Sequence, residues 1–155
     1  KFLSLCYDIA KEYPEIKTDD WYVDIMAANL VNDQINSNFN VVILPNLYGD
    51  IITDEAAQLQ GGVGTAGSAN IGNRYAMFEA IHGSAPRMME EGIGEYANPA
   101  SINRAAVMML RHIGFTDQAA VLEKALDAAQ EALDMPGDGT GNTASDFTSF
   151  VLDRI

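Results

Sequence analysis

Asp50 and Asp54 are the residues whose type and spacing most directly suggest chemistry. Four positions apart in a segment that reads as helical, they stand one turn above each other on a single face. Two carboxylates held there repel by about 0.2–0.5 kcal/mol, and a hard divalent cation such as Mg²⁺ or Mn²⁺, which prefers oxygen donors, would compensate them. Acidic residues near a helix N-terminus are also favoured by the macrodipole, and on spacing alone that structural reading is the stronger. Asp24, at the beginning of another predicted helix, is a candidate third oxygen ligand that spacing cannot bring near the other two. Asp19, Asp20 and Glu55 read as solvated.

A second feature is a pair of glycine-bearing stretches, GGVGTAGSANIG at 61–72 and HGSAP at 82–86, on either side of a predicted buried strand at 75–81. Without a Cβ in the way, glycine backbone N–H groups approach a phosphate or an adenine edge closely. Neither stretch is a Walker loop or a GxGxxG fingerprint, and spacing alone favours plain loops. His82 falls where a strand gives way to a loop, the usual ligand position in α/β folds, whereas His112 reads as a surface residue beside Arg111. Met108 and Met109 read as core or near-core helix packing. Cys6, the single cysteine, reads as a small core hydrophobe in a reducing compartment rather than a nucleophile. The sequence contains no nucleophile triad and no zinc spacing.

The elements that must position these residues follow from periodicity. Phe2, Leu5, Cys6, Ile9 and Ala10 predict a helix that ends after Tyr13, before Pro14. A short extended run at 21–24 leads into a helix carrying Ile25, Ala28, Asn29 and Val31. A polar loop at 36–40 precedes the continuous apolar run Val41, Val42, Ile43 and Leu44, the pattern of a strand buried on both faces. A helix follows at 49–60, giving an α/β unit. The stretch at 61–72 reads as a functional loop or a domain crossing, and a polar loop runs from HGSAP to Tyr96. Helices are predicted from Asn98-Pro99-Ala100-Ser101 to a Gly114 C-cap, over 116–133 with Thr116 as N-cap, and over 145–155.

Nine Lys plus Arg against 22 Asp plus Glu give a formal charge of −13, which disfavours nucleic acid and anionic membrane surfaces as partners. With 48% hydrophobic and 20% charged residues the composition is globular, and no apolar run is long enough to span a bilayer. Beginning at Lys1 directly in a helical pattern, the chain reads as a cut piece.

The strings NLYGDIITDEAAQLQGGVGTAGSANIG, FEAIHGSAP, YANPAS and AAVMMLRHIG, in that order across essentially the whole chain, resemble the isocitrate and isopropylmalate dehydrogenase family. VDIMAANLV and SANIG resemble the isocitrate dehydrogenases more than the isopropylmalate dehydrogenases. The resemblance implies the three-layer α/β fold of that family, incomplete in this chain. Residues 1–60 would be part of the small dimer-interface domain and 61–155 the C-terminal part of the large cofactor-binding domain. It implies oxidation of a small 2-hydroxy acid by hydride transfer to NAD or NADP, with decarboxylation assisted by Mg²⁺ or Mn²⁺.

Carried over residue by residue, Asp50 and Asp54 match the family's metal-binding aspartates. Asp24 matches a third that comes from the neighbouring subunit of a homodimer. His82, Gly83, Ser84, Ala85, Pro86, Arg87 and Met88 match the loop around the cofactor's adenosine, Glu79 precedes it, and Asn98 matches the residue near the adenine. NAD-dependent members usually carry Asp at the position of Arg87, where an Arg could pair with a 2′-phosphate. The Tyr and Arg that help hold that phosphate in bacterial NADP enzymes fall near Gly137 and Gly141 here, so the reading leans only slightly to NADP.

The family's catalytic Lys and Tyr, and its substrate-gripping Arg cluster, are expected before Lys1, so this chain holds no catalytic residue and is expected to be inactive in isolation. The whole protein is expected to be an isocitrate dehydrogenase of the cytoplasm or a mitochondrial matrix. Isopropylmalate dehydrogenase or a related 2-hydroxy acid enzyme, and a non-catalytic regulatory subunit or inert fragment, are the alternatives.

Overall fold

A computed structural model describes residues 1–155, the side chain of Val63 excepted. The chain divides into two compact units, Lys1–Leu59 and Gln60–Ile155. The first contains helices α1 (Phe2–Ala10), α2 (Val23–Leu30), α3 (Asp33–Asn36) and most of α4 (Asn46–Gln60). Its core is Met26 and Leu30 of α2 against Ile52 of α4, with Val23, Ala27, Phe39 and Leu44 packed around them. Trp21 meets Phe39 edge to face at 5.6 Å. Helix α3 lies partly within a predicted polar loop; the Asn32 side chain caps it by accepting from the Gln34 N–H at 3.1 Å.

Three expectations for this unit are corrected. The apolar run at 41–44 is not a buried strand: it lies outside any helix or strand, with Val41 82% exposed. A strand needs a neighbour for its backbone groups, and the sheet among the described residues has two strands, both in the second unit. Helix α1 ends at Ala10, none of its residues is buried, and Cys6 is half-buried rather than a core residue. Helix α2 begins at Val23, inside the run predicted to be extended.

The second unit is built on an antiparallel pair, β1 (Gly67–Ile71) and β2 (Ala76–Ala80), with Gly67 opposite Ala80 and Ile71 opposite Ala76. Strand β1 lies inside the glycine-rich stretch predicted to be a loop. Gly67 is there for contact rather than for freedom: a Cβ on it would lie 2.4 Å from the backbone nitrogen of Ala105. Ala105 belongs to α6 (Ala100–His112), which packs on both strands. Strand β2 alternates half-buried with exposed residues, so it is one-sided rather than buried on both faces. The predicted polar loop after HGSAP contains α5 (Pro86–Glu90) and a 3-10 turn at Gly94–Tyr96.

Helix α6 ends as predicted, with Gly114 at φ +89°, its N–H bonded to the Arg111 carbonyl and the Phe115 N–H to Leu110. Met108 and Met109 are exposed on it, not core, and exposed His112 reaches Phe78 at 5.5 Å. Helix α7 (Thr116–Ala132) is capped by Phe115 without a side-chain bond, so Thr116 is not its N-cap. The core of this unit joins Ala100 and Val107 of α6, Ala119, Ala125, Leu126 and Ala129 of α7, and Phe147 and Val151 of α8 (Ala144–Leu152).

Helix α8 starts with a capping box in which the Asp146 carboxylate accepts from the Thr143 N–H and hydroxyl, both at 2.8 Å. The backbone bond first, then the hydroxyl, holds the Asp146 carboxyl below its ordinary range. A folded pKa depressed in this way adds stability above the unfolded value of about 3.9, and that stability is lost as pH falls through the folded value. Asp146→Asn therefore melts below the parent at pH 7, and the gap in Tm closes as the pH is lowered past about 4. A gap that stayed constant with pH would assign the loss to something other than the carboxylate.

Candidate functional site

Each helix turns by about 100° per residue, so side chains two apart point roughly to opposite sides. Asp50 and Asp54 both lie two positions from Ile52, which is buried, and both are exposed on the other side of α4. Asp24 stands in the same relation to buried Met26 on α2. The small core that holds α2 and α4 together therefore turns these carboxylates outward. Thr53 lies between the pair, but its hydroxyl donates to the Gly49 carbonyl at 2.7 Å and is not offered to the carboxylates.

Helix α4 starts at Asn46, earlier than predicted, and its first turn contains no acidic residue. The macrodipole reading that competed with metal binding is thereby weakened for Asp50 and Asp54, since that effect fades within one turn. It remains applicable to Asp24, which is in the first turn of α2. Among the described residues no Lys or Arg forms an ion pair with any of the three. Two outward carboxylates a turn apart, not neutralised by a basic side chain, are a donor set that fits a hard divalent cation. Among the described residues, no three His, Cys, Asp or Glu side chains gather to hold a metal, so the fold does not bring Asp24 to Asp50 and Asp54 within one chain.

The loop predicted to carry nucleotide chemistry leaves the end of β2. Exposed His82 places Nδ1 2.9 Å from the Gly83 carbonyl, and the side-chain position of Gly83 opens onto free space. Ala85 is left-handed, at φ 46° and ψ 57°, and is the one non-glycine residue with positive φ among the described residues. Pro86 then opens α5, whose fixed φ suits that first position. Arg87 is exposed and pairs through Nε with Glu91 at 2.6 Å, one turn on. The 136–142 turn lies beside this region: a Cβ on Gly137 would fall 4.0 Å from Met88 Cε, and one on Gly139 3.0 Å from Ile93 Cγ2. Within that turn the Thr140 hydroxyl, then its N–H, hold the Asp138 carboxyl below its ordinary range.

Residues 82–88 are thus gathered by contiguity, while the other two candidates are engaged elsewhere. Glu79 accepts from Asn70 across the strand pair at 2.9 Å. Asn98 Oδ1 accepts from the Ala100 N–H at 2.9 Å and so opens α6. Asn98 also borders a cleft of about 250 Å³ with Thr65, Gln130 and Phe147, a cleft that includes none of residues 79–88. Sequence reasoning missed two residues here. Glu91 was legible as the i+4 partner of Arg87. Ser101 was not: its hydroxyl reaches Ala66 and Ile81, 35 and 20 positions away.

The first unit thus carries an outward carboxylate pair on α4, and the second an exposed loop between β2 and α5. The chain belongs to the isocitrate/isopropylmalate dehydrogenase family, whose model matches residues 2–155. It is 51% identical over 118 residues to the NADP isocitrate dehydrogenase of Rickettsia prowazekii, covering 76% of this chain and 23% of that protein. It is 43% identical over 157 residues to the probable mitochondrial NAD isocitrate dehydrogenase subunit alpha of Caenorhabditis elegans, covering 99% and 42%. The crystal structure of isocitrate dehydrogenase from Methylococcus capsulatus superposes with a TM-score of 0.87 at 37% identity, over 99% of this chain and 45% of that one. The chain therefore spans less than half the length of these relatives. Its α/β fold is the family's, present in part. No helix among the described residues is long and apolar enough to cross a membrane.

Proposed function

We propose that this chain is the C-terminal part of a divalent-metal-dependent NAD(P) isocitrate dehydrogenase, which converts isocitrate to 2-oxoglutarate in the cytoplasm or a mitochondrial matrix. The observation that supports this most is the similarity to isocitrate dehydrogenases of both cofactor types, over as much as 99% of the chain. In this reading residues 1–60 belong to a small domain at a homodimer interface and residues 61–155 to a large cofactor domain. Asp50 and Asp54 hold Mg²⁺ or Mn²⁺ together with Asp24 from a second copy, an arrangement for which the outward direction of all three is suited. When bound there, the metal would polarise the 2-oxo carbonyl that lies β to the carboxylate lost as CO₂. Residues 82–88, with Glu79 and Asn98, receive the adenosine half of the cofactor. Catalytic proton transfer at the substrate hydroxyl falls to a Lys and a Tyr preceding Lys1.

The test is NAD(P)H formation by the intact subunit with Mg²⁺. Isocitrate supports it and 3-isopropylmalate does not, and the isolated 155-residue chain gives none because no positioned acid or base remains at the hydroxyl. Oxidation of 3-isopropylmalate in preference to isocitrate, or turnover by the isolated chain, would overturn the reading.

A further inference from the structure

We propose that Ser101 is a positioning residue for the nucleotide loop, its buried hydroxyl fixing where the chain leaves β2 and hence how residues 82–88 are presented. The proposal rests on reading that loop as the cofactor site. In the register of the strand pair Gly67 faces Ala80, so Ala66 and Ile81 are the next pair. They do not bond to each other. The Ile81 N–H donates to Ser101 Oγ at 3.1 Å, and the same hydroxyl donates to the Ala66 carbonyl. A side chain from α6 thus takes the place of a rung of the ladder, at the residue immediately before His82.

Three features keep that rung in place. Ser101 is 0% exposed, so water does not compete for either bond. Gly67 lets α6 lie against β1 with no room for a side chain between them, which fixes the depth to which the hydroxyl reaches. The Asn98 side chain accepts from the Ala100 N–H just before Ser101, so a candidate adenine contact and the rung stand three residues apart at the start of α6. Removing the hydroxyl leaves a half-buried N–H and a half-buried carbonyl without their partner, a loss the ladder can repair by drawing Ile81 towards Ala66. That movement displaces His82 and the loop beyond it, while α7 and α8 keep their own packing.

In the intact subunit, Ser101→Ala is expected to raise the Kd for NAD(P) about tenfold with kcat changed less than twofold. Amide exchange should quicken at Ile81 and His82 and stay unchanged at Leu126 in the α7 core. A merely structural role would lower kcat, cofactor affinity and Leu126 protection together, and that result overturns the proposal. Should the variant not fold, the unaltered subunit still decides. Coupling between sites is reciprocal, so saturating NAD(P) must slow exchange at the Ile81 amide about tenfold, and an unchanged Ile81 amide refutes the proposal. His82→Ala separates the two claims. If it leaves NAD(P) binding intact, the loop is not the cofactor site; if it weakens binding while Ser101→Ala does not, the positioning role alone fails.

Discussion

If Asp50 holds the proposed metal, Asp50→Asn in the intact subunit is expected to lower turnover by about 100-fold and to raise the Mg²⁺ requirement, with partial recovery in excess Mn²⁺. On the proposed reading a Lewis-acid metal would contribute several kcal/mol to the decarboxylation, and each 1.36 kcal/mol is tenfold in rate, so weakening one of two proposed in-chain ligands would cost about two powers of ten. Stability moves the other way. Asp50 is outside the first turn of α4, is exposed, and has Asp54 one turn on, so neutralising it removes a repulsion of a few tenths of a kcal/mol and forfeits no macrodipole contact. The metal-free variant therefore melts at or slightly above the parent. A ligand that binds only the folded state raises stability by RT ln(1 + [L]/Kd), so the upward shift of Tm with Mg²⁺ shrinks in the variant. A lower metal-free Tm with an unchanged Mg²⁺ response would assign Asp50 to the helix instead of the cation.

The parts of this molecule that were legible in the sequence are those whose signal is local. Ile102, Ala105, Ala106 and Met109 recur at helical spacing, and Gly114 marks the stop, so α6 is readable from end to end. The Asp50 and Asp54 pair is readable for the same reason, because helical spacing alone puts both on one face. What was not legible depends on partners distant in the chain. The run at 41–44 has the composition of a buried strand, but burial and pairing are supplied by neighbours, and it has no paired strand here. Gly67 reads in sequence as part of the loop at 61–72, whereas it is required by the backbone of α6 pressed against β1. Ser101 looked like one more residue of a helix start. Its significance lies in two backbone groups that the fold brings to it from other segments.

If Arg87 faces the cofactor as proposed, Arg87→Asp in the intact subunit is expected to raise the KM for NADP about 100-fold relative to that for NAD. Arg87 is the only Lys or Arg between residues 79 and 98, a stretch that also holds Glu79, Glu90, Glu91 and Glu95. A charge-assisted hydrogen bond contributes about 1.5–3 kcal/mol, which is roughly 10- to 100-fold in affinity for a 2′-phosphate. The Arg87 pair with Glu91 does not prevent this, because both side chains are exposed and a surface ion pair contributes about 0–1 kcal/mol. The substitution also sets a new carboxylate one turn from Glu91, and two anions there repel a phosphate while still accepting from ribose hydroxyls. Gly137 and Gly141 offer no side chain to replace the lost cation. Glu91→Gln supplies the converse: by freeing Arg87 from its partner it lowers the KM for NADP a few-fold and leaves that for NAD unchanged. Equal changes for the two cofactors on Arg87→Asp would mean that the guanidinium does not reach the 2′ position, and that cofactor choice is made by residues outside this loop.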